Sequence, residues 1–302
     1  MTSQSLDTPY GSINIYLQSR DAQVSEGTNN ANKTWYLNTP VIPPRPDVRM
    51  LCAVTDFQCA YSWYIIRAGV NDKFAYSDTA GAASKNTETI PEGNYNATTF
   101  RNKLNELIKA TLGGTEDRIS YDKTTNKFTY TSATGTNTVI IYSKENGTTC
   151  DTEVGLEGVS NQSATGSVVF PNMADFAGIP YIYIIGNTLG LENRDGKGNV
   201  NLTLCKCPVQ SQPLGFIYLP NAAGLIYLLL DDRELKKIQI ILQDDEGNEI
   251  DFHGIGWGLT LTIHFQYQRF PSVPKMVLQT KDVIKEAVSG VNEVKTEDTK
   301  DK

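Results

Sequence analysis

The stretch from Asp244 to Tyr267, DDEGNEIDFHGIGWGLTLTIHFQY, constrains the fold more than any other part of the chain. Trp257, Leu259, Leu261, Ile263, Phe265 and Tyr267 alternate there with Gly258, Thr260, Thr262, His264 and Gln266. Successive side chains of an extended backbone point to opposite faces, so this period of two predicts a long, half-buried β-strand. The Asp-Glu-Gly-Asn run ahead of it reads as a turn, because Gly and Asn tolerate positive φ. Ile238, Ile240 and Leu242 before the turn, with Ile250 and Phe252 after it, fit a hairpin that feeds the strand.

The same period recurs elsewhere. Ile13, Ile15 and Leu17 alternate with polar partners, and Thr34 to Leu37 reads as a further short strand. Ala53, Phe57, Cys59, Tyr61, Trp63 and Ile65 share one side of a second long extended stretch. Pro43, Pro44 and Pro46 cannot serve a central ladder and mark a connection. Short apolar runs then follow at 167–170, 181–186, 199–204, 214–219, 225–230 and 237–243, separated by Gly, Pro and Asn. That spacing is the pattern of a β-sandwich or barrel. Strands and helices do not alternate after residue 160, which argues against a doubly wound parallel sheet.

Residues 86–158 differ in character. In IPEGNYNATTFRNKLNELIKATLGG, Phe100, Leu104, Leu107, Ile108 and Leu112 form one apolar stripe at helical spacing. Asn96 is a candidate N-cap and Gly113 a candidate stop. ISYDKTTNKFTYT reads as a hairpin with Ile119 and Tyr121 facing Phe128 and Tyr130, and residues 138–142 as a third strand. A small α/β unit between runs of strands reads as an insertion. After Phe270 the chain becomes mixed in charge, and Val283, Ile284, Ala287 and Val291 outline a short amphipathic helix in a tail expected to be mobile or to dock on a partner.

Composition narrows the function classes. A formal net charge of −7 over 302 residues argues against strong nucleic-acid binding, which needs clustered Lys and Arg. The start has no apolar core of signal-peptide length, and the run 225–230 is too short to span a membrane. Cys52, Cys59, Cys150, Cys205 and Cys207 have neither redox nor zinc-ribbon spacing and are expected to be reduced, buried thiols. Sequons at Asn32, Asn96, Asn146, Asn161 and Asn201 are a by-product of an Asn- and Thr-rich composition. Synthesis in a reducing, intracellular place is expected.

No catalytic constellation emerges, and no catalytic, cofactor or metal residue is assigned. His253 and His264 are the only imidazoles, too few for a cupin-type centre. His264 lies on the polar side of its strand and is expected at a surface or interface. Asp244, Asp245, Glu246, Glu249 and Asp251 are dense enough to suggest calcium, but Gly247 does not fit an EF-hand loop, so a solvated turn is expected. Asp231 and Asp232 before Arg233 read as another exposed turn. A β-sandwich glycosidase would need a specific carboxylate pair, and nothing in the sequence brings one together. The plentiful tyrosines sit mostly on alternating core faces, although a sugar-stacking platform remains an alternative.

Three segments carry a family resemblance: IPEGNYNATTFRNKLNELIKATL, ISYDKTTNKFTYT and DDEGNEIDFHGIGWGLTLTIHF. Together they resemble the penton, or minor capsid, proteins of virophages and Maverick/Polinton-type viruses, over roughly residues 48–268. The resemblance implies a mainly β protein, a single jelly-roll β-sandwich with a small α/β insertion domain. It implies a structural, non-enzymatic role as homopentamers at the vertices of an icosahedral virion. The neighbouring double-jelly-roll major capsid protein is then a partner, with synthesis in the host cytoplasm. The expected layout is a discontinuous jelly roll at 1–85 and 159–272, an insertion domain at 86–158 and a charged tail at 273–302. The insertion is expected to decorate the outer end of the vertex, which makes a host receptor a candidate partner. Two other readings stay open: a receptor- or glycan-binding sandwich head of a spike or adhesin, and the glycosidase.

Overall fold

The computed structural model describes residues 9–79, 84–189, 193–194, 200–220, 227–230 and 233–267. The chain begins with strands β1 (Pro9–Gln18), β2 (Val24–Glu26), β3 (Asn32–Val41) and β4 (Val48–Ala60). There follow β5 (Lys73–Thr79), β6 (Asn86–Thr89), helix α1 (Ala97–Leu112), β7 (Ile119–Asp122), β8 (Lys127–Thr131) and β9 (Thr138–Ile141). Next come the short helix α2 (Asp151–Val154), β10 (Gln162–Thr165), β11 (Ser167–Val169) and β12 (Tyr181–Gly186). The series ends with β13 (Asn193–Arg194), β14 (Val200–Asn201), β15 (Thr203–Pro208), β16 (Phe216–Leu219), β17 (Leu228–Leu229), β18 (Leu235–Gln243) and β19 (Trp257–Tyr267). The protein is mainly β, and its ladders are antiparallel.

Two of the sheets share one apolar core. The first runs β1-β19-β4-β16, with β17 also on β4, and the second runs β15-β12-β18-β3-β2. Phe57, Leu261 and Ile263 of the first join Ile182, Ile184, Ile238 and Ile240 of the second in one buried cluster. Trp35 and Trp257 meet edge to face across the sheets, centroids 5.8 Å apart. Both of these indoles keep a hydrogen bond, Trp35 Nε1 to the Gln18 carbonyl (3.2 Å) and Trp257 Nε1 to the Asn30 carbonyl (2.8 Å).

The long strand β19 forms as its alternation predicts, but it is not half-exposed. It lies between β1 and β4, and Thr260 and Thr262 on its polar side are also buried. Thr262 Oγ1 donates to Asn14 Oδ1 at 2.8 Å. In β4, Thr260 pairs with Asp56 and Leu261 with Val54, so Thr55 is the extra residue of a bulge. The bulge shifts the inward phase: Met50, Cys52 and Val54 face the core before it, Phe57 and Cys59 after it. Ala53 therefore falls off the common face expected for it. The ladder stops at Ala60, and Tyr61, Trp63 and Ile65 are buried in irregular chain.

A second cluster is separate from the first and runs from Ile66 to Phe170. It is built on the sheets β10-β9-β5-β6 and β11-β8-β7, with α1 against them. β5, β10 and β11, outside residues 86–158, pack with it through pairing to β9 and β8. The hairpin β7–β8 has the register read from the sequence, Ile119 opposite Tyr130 and Tyr121 opposite Phe128. β9 joins a different sheet from that hairpin. Asn105, on the buried face of α1, clamps the helix to β7: its Oδ1 accepts from the Arg118 and Ile119 amides, and its Nδ2 donates to the Ile119 carbonyl, all at 2.8 Å. The tail helix outlined by Val283, Ile284, Ala287 and Val291 lies outside the described residues.

Helix α1 is closed at both ends as expected. Asn96 Oδ1 accepts from the Thr98 and Thr99 amides at 3.0 and 2.9 Å, and Thr99 Oγ1 accepts from the Asn96 amide. Gly113 stops the helix at φ 71°, a conformation that a Cβ would strain. Asn96→Ala is expected to cost about 0.5–2 kcal/mol, and Asn96→Asp close to nothing, as read from urea denaturation midpoints.

Candidate functional site

The two cores are linked by chain segments that lie side by side. On the way out, Tyr61 and Trp63 belong to the sandwich core and Ile66 to the second core. Tyr61 stacks on Trp63 at 4.3 Å, and Phe252 meets Trp63 edge to face at 5.7 Å. On the way back, Phe170 belongs to the second core and Ile179 to the sandwich. Gly178, at φ +77°, sits so close that a Cβ there would lie 2.6 Å from Tyr61 Oη. The return segment can pass only because that side chain is missing.

Beside these crossings is a cleft of about 290 Å³. Its floor is the turn 65–72, shaped by one side chain. Asn71 Oδ1 accepts from the Arg67 amide (2.7 Å), while Nδ2 donates to the Ile65 carbonyl (2.9 Å) and to Glu153 Oε1 (2.5 Å). Glu153, at the C-terminal end of α2, is 8% exposed. Burial raises its acid to about 7, opposed by hydrogen bonds from backbone and Asn71 and by the Arg67 charge. Burial also raises Asp151, with Lys144 opposing.

The far wall is the turn between β18 and β19. Asp244 is buried, and its carboxylate accepts from the Glu246 and Asn248 amides at 3.0 and 2.8 Å and from Asn248 Nδ2 at 3.1 Å. Arg67 Nη1 completes the set at 2.7 Å, so the turn's organiser is also an ion pair across the joint. The sequence predicts a solvated turn, and Asp244 departs from it because Arg67 covers it. Lys144 Nζ reaches Glu246 at 2.6 Å and Asp151 at 3.9 Å, and the hydrogen bond to Glu246 raises the lysine. The expected hairpin is brief: Gln243 bridges Glu249, and the chain then crosses to the facing sheet.

The remaining residues singled out in the sequence do not converge. His253, at φ 49°, puts Nδ1 2.8 Å from the Ser62 carbonyl and its ring against Tyr64. His264 is half-buried and meets Tyr227 edge to face at 4.6 Å. Glu249 accepts from Asn32 Nδ2 at 3.4 Å, and Asp251 Oδ1 from the His253 amide at 2.8 Å. Among the described residues no group of three His, Cys, Asp or Glu is placed to hold a metal ion, and no helix is long and apolar enough to cross a membrane. Asp231 and Asp232 lie outside the described residues. All five cysteines are free thiols, and burial pushes Cys52 and Cys205 up to about 12 and Cys207 to about 11. Arg67, Lys144 and Glu153 have no motif around them, and only the fold brings them together.

Glu153 makes stability depend on pH. Its folded value lies above the ordinary 4.5, so its contribution is fully present below pH 4.5 and is lost as pH rises through about 7. Glu153→Gln keeps an acceptor for Asn71 and removes the charge. We expect wild type to lose roughly 1–3 kcal/mol more than Glu153→Gln across that window. Urea denaturation at a series of pH values measures this, and parallel curves for the two proteins would refute it.

No protein-family model and no curated protein matches the chain. Among solved structures it is similar to the crystal structure of the selenomethionine-labelled mavirus penton protein, at 12% sequence identity and a TM-score of 0.46. The match covers 85% of this chain and 100% of that one.

Proposed function

We propose that the chain is a structural capsid protein whose sandwich is a single jelly roll, assembling as homopentamers at virion vertices. The order of strands in the two sheets is the observation that carries this reading. One sheet runs β1-β19-β4-β16 and the other β15-β12-β18-β3, with β2 beyond β3. Following the chain, β1, β4, β16 and β19 lie in one sheet and β3, β12, β15 and β18 in the other. Most connections therefore cross between sheets, the pattern of two interlocked Greek keys used by jelly-roll capsid domains. The resemblance of the three sequence segments supplies the vertex role.

In this reading the second body is an insertion on the β4–β12 connection, available to a host receptor. The pairing of β5, β10 and β11 supports limits wider than 86–158, from about Ile66 to Phe170. The chain acts by assembly, not turnover, with the major capsid protein as neighbour and the host cytoplasm as place of synthesis. A contact face for the ring is suggested by Leu214, Phe216 and Tyr218, which are 87%, 64% and 57% exposed on and beside the edge strand β16. Apolar side chains in such a row favour a protein partner over water.

Light scattering on the purified protein, alone and with the double-jelly-roll capsid protein, tests the reading. The expected species has about five times the 33.3 kDa chain mass and a five-fold ring in images. Phe216→Asp is expected to shift that species to monomer without lowering the melting temperature. A monomer under both conditions would overturn the vertex assignment.

A further inference from the structure

We infer that the joint between the two bodies is proton-gated: with Glu153 neutral the second body is held against the β18–β19 turn, and ionisation of Glu153 lets it swing away about the paired crossings. This goes beyond the capsid reading and does not depend on it. Three features of the joint combine to give it.

The first is the hinge. The bodies have separate cores, and the chain passes between them twice, through segments 61–66 and 170–179, which touch at Gly178 and Tyr61. Two adjacent links permit rotation about their common line while resisting separation. The second is the latch. Among the described residues, Arg67–Asp244 and Lys144–Glu246 are the ion pairs that close the cleft, and both end on the same turn.

The third is the charge facing Glu153. From its own helix comes Asp151, with the buried Cys150 thiol just before it, from the turn 65–72 Arg67 and Asn71, and from the loop before α2 Lys144. Glu157 and Asp175 stand on the same side of the cleft, with Asp245 and Glu246 on the turn opposite. Carboxylates thus outnumber cations on both walls. A neutral Glu153 stays in its pocket and accepts from Asn71. An ionised Glu153 is a buried charge with one side-chain donor, and its stable position is in the water of the cleft. Moving there, it releases Asn71 and adds like charge opposite Asp245 and Glu246, against the two ion pairs that hold the joint.

Burial sets this transition near neutral pH. The test is a distance between spin labels on Arg20→Cys in the sandwich and Lys123→Cys in the β7–β8 turn, both exposed positions, measured by electron–electron double resonance from pH 5.5 to 8.5. The native thiols are buried except half-buried Cys205, which an unlabelled-mutant control accounts for. Wild type should show one narrow distance in acid and a longer, broader distribution in base, with a midpoint near pH 7. Glu153→Gln should keep the narrow distance throughout, and Asp244→Asn should show the broad distribution throughout. His253→Gln, which changes the histidine at the joint, should leave the transition in place. A wild-type distance that does not move with pH, or a transition that survives Glu153→Gln, would overturn the inference. If Asp244→Asn fails to fold, the Glu153→Gln comparison decides alone.

Discussion

The sandwich depends on β19 taking its place between β1 and β4. That strand supplies Trp257, Leu259, Leu261, Ile263 and Phe265 to the core and hydrogen-bonds on both sides along its length. Its partners are remote in sequence; Asn14 and Thr262, bonded across the β1–β19 ladder, are 248 residues apart. Nothing local can form this sheet in advance, so its ladders complete only when most of the chain is in position. A topology so rich in long-range pairing is expected to fold slowly for its size. Until then β1 and β4 would present unpaired edges, a hazard that the final strand removes.

A second dependence is concentrated in Asp244. Its carboxylate closes the turn from which the chain leaves one sheet and crosses to the other, and the same group receives the Arg67 guanidinium. Burying an ion pair brings little net stability by itself, because both charges lose water. Its use here is geometric. It fixes the relation between a turn of the sandwich and a crossing segment, which apolar contacts, being non-directional, would leave free to slide.

What the sequence displayed follows the range of the interactions involved. The period of two in β19, the helical stripe of α1 with Asn96 and Gly113 at its ends, and the β7–β8 hairpin are local patterns, and each was readable from neighbouring residues. The bulge at Thr55 was not, since it exists only against the register of β19. For the same reason the period of two carried through six residues from Ala53 to Ile65 misplaced Ala53 and overran the strand. β9 carries an ordinary strand signal, but its choice of β5 and β10 over the hairpin is decided by packing. Asp244 and Glu153 look like any other surface carboxylates in the sequence. Their burial comes from Arg67 and Asn71, far off in the chain, and no spacing announces such a meeting.

The adjacency of the outbound and returning segments at Tyr61 and Gly178 has an evolutionary side. From the viewpoint of the sandwich, everything between them is one closed loop whose ends already touch. The entropy of closing a loop grows only logarithmically with its length, so replacing that stretch with a longer, shorter or unrelated one changes little in the sandwich's free energy. Lineages carrying this architecture can therefore exchange or lose the second body wholesale. What each exchange must preserve is small: a residue without a side chain at 178 beside Tyr61, a cation to pair buried Asp244 as Arg67 does, and ends spaced to match.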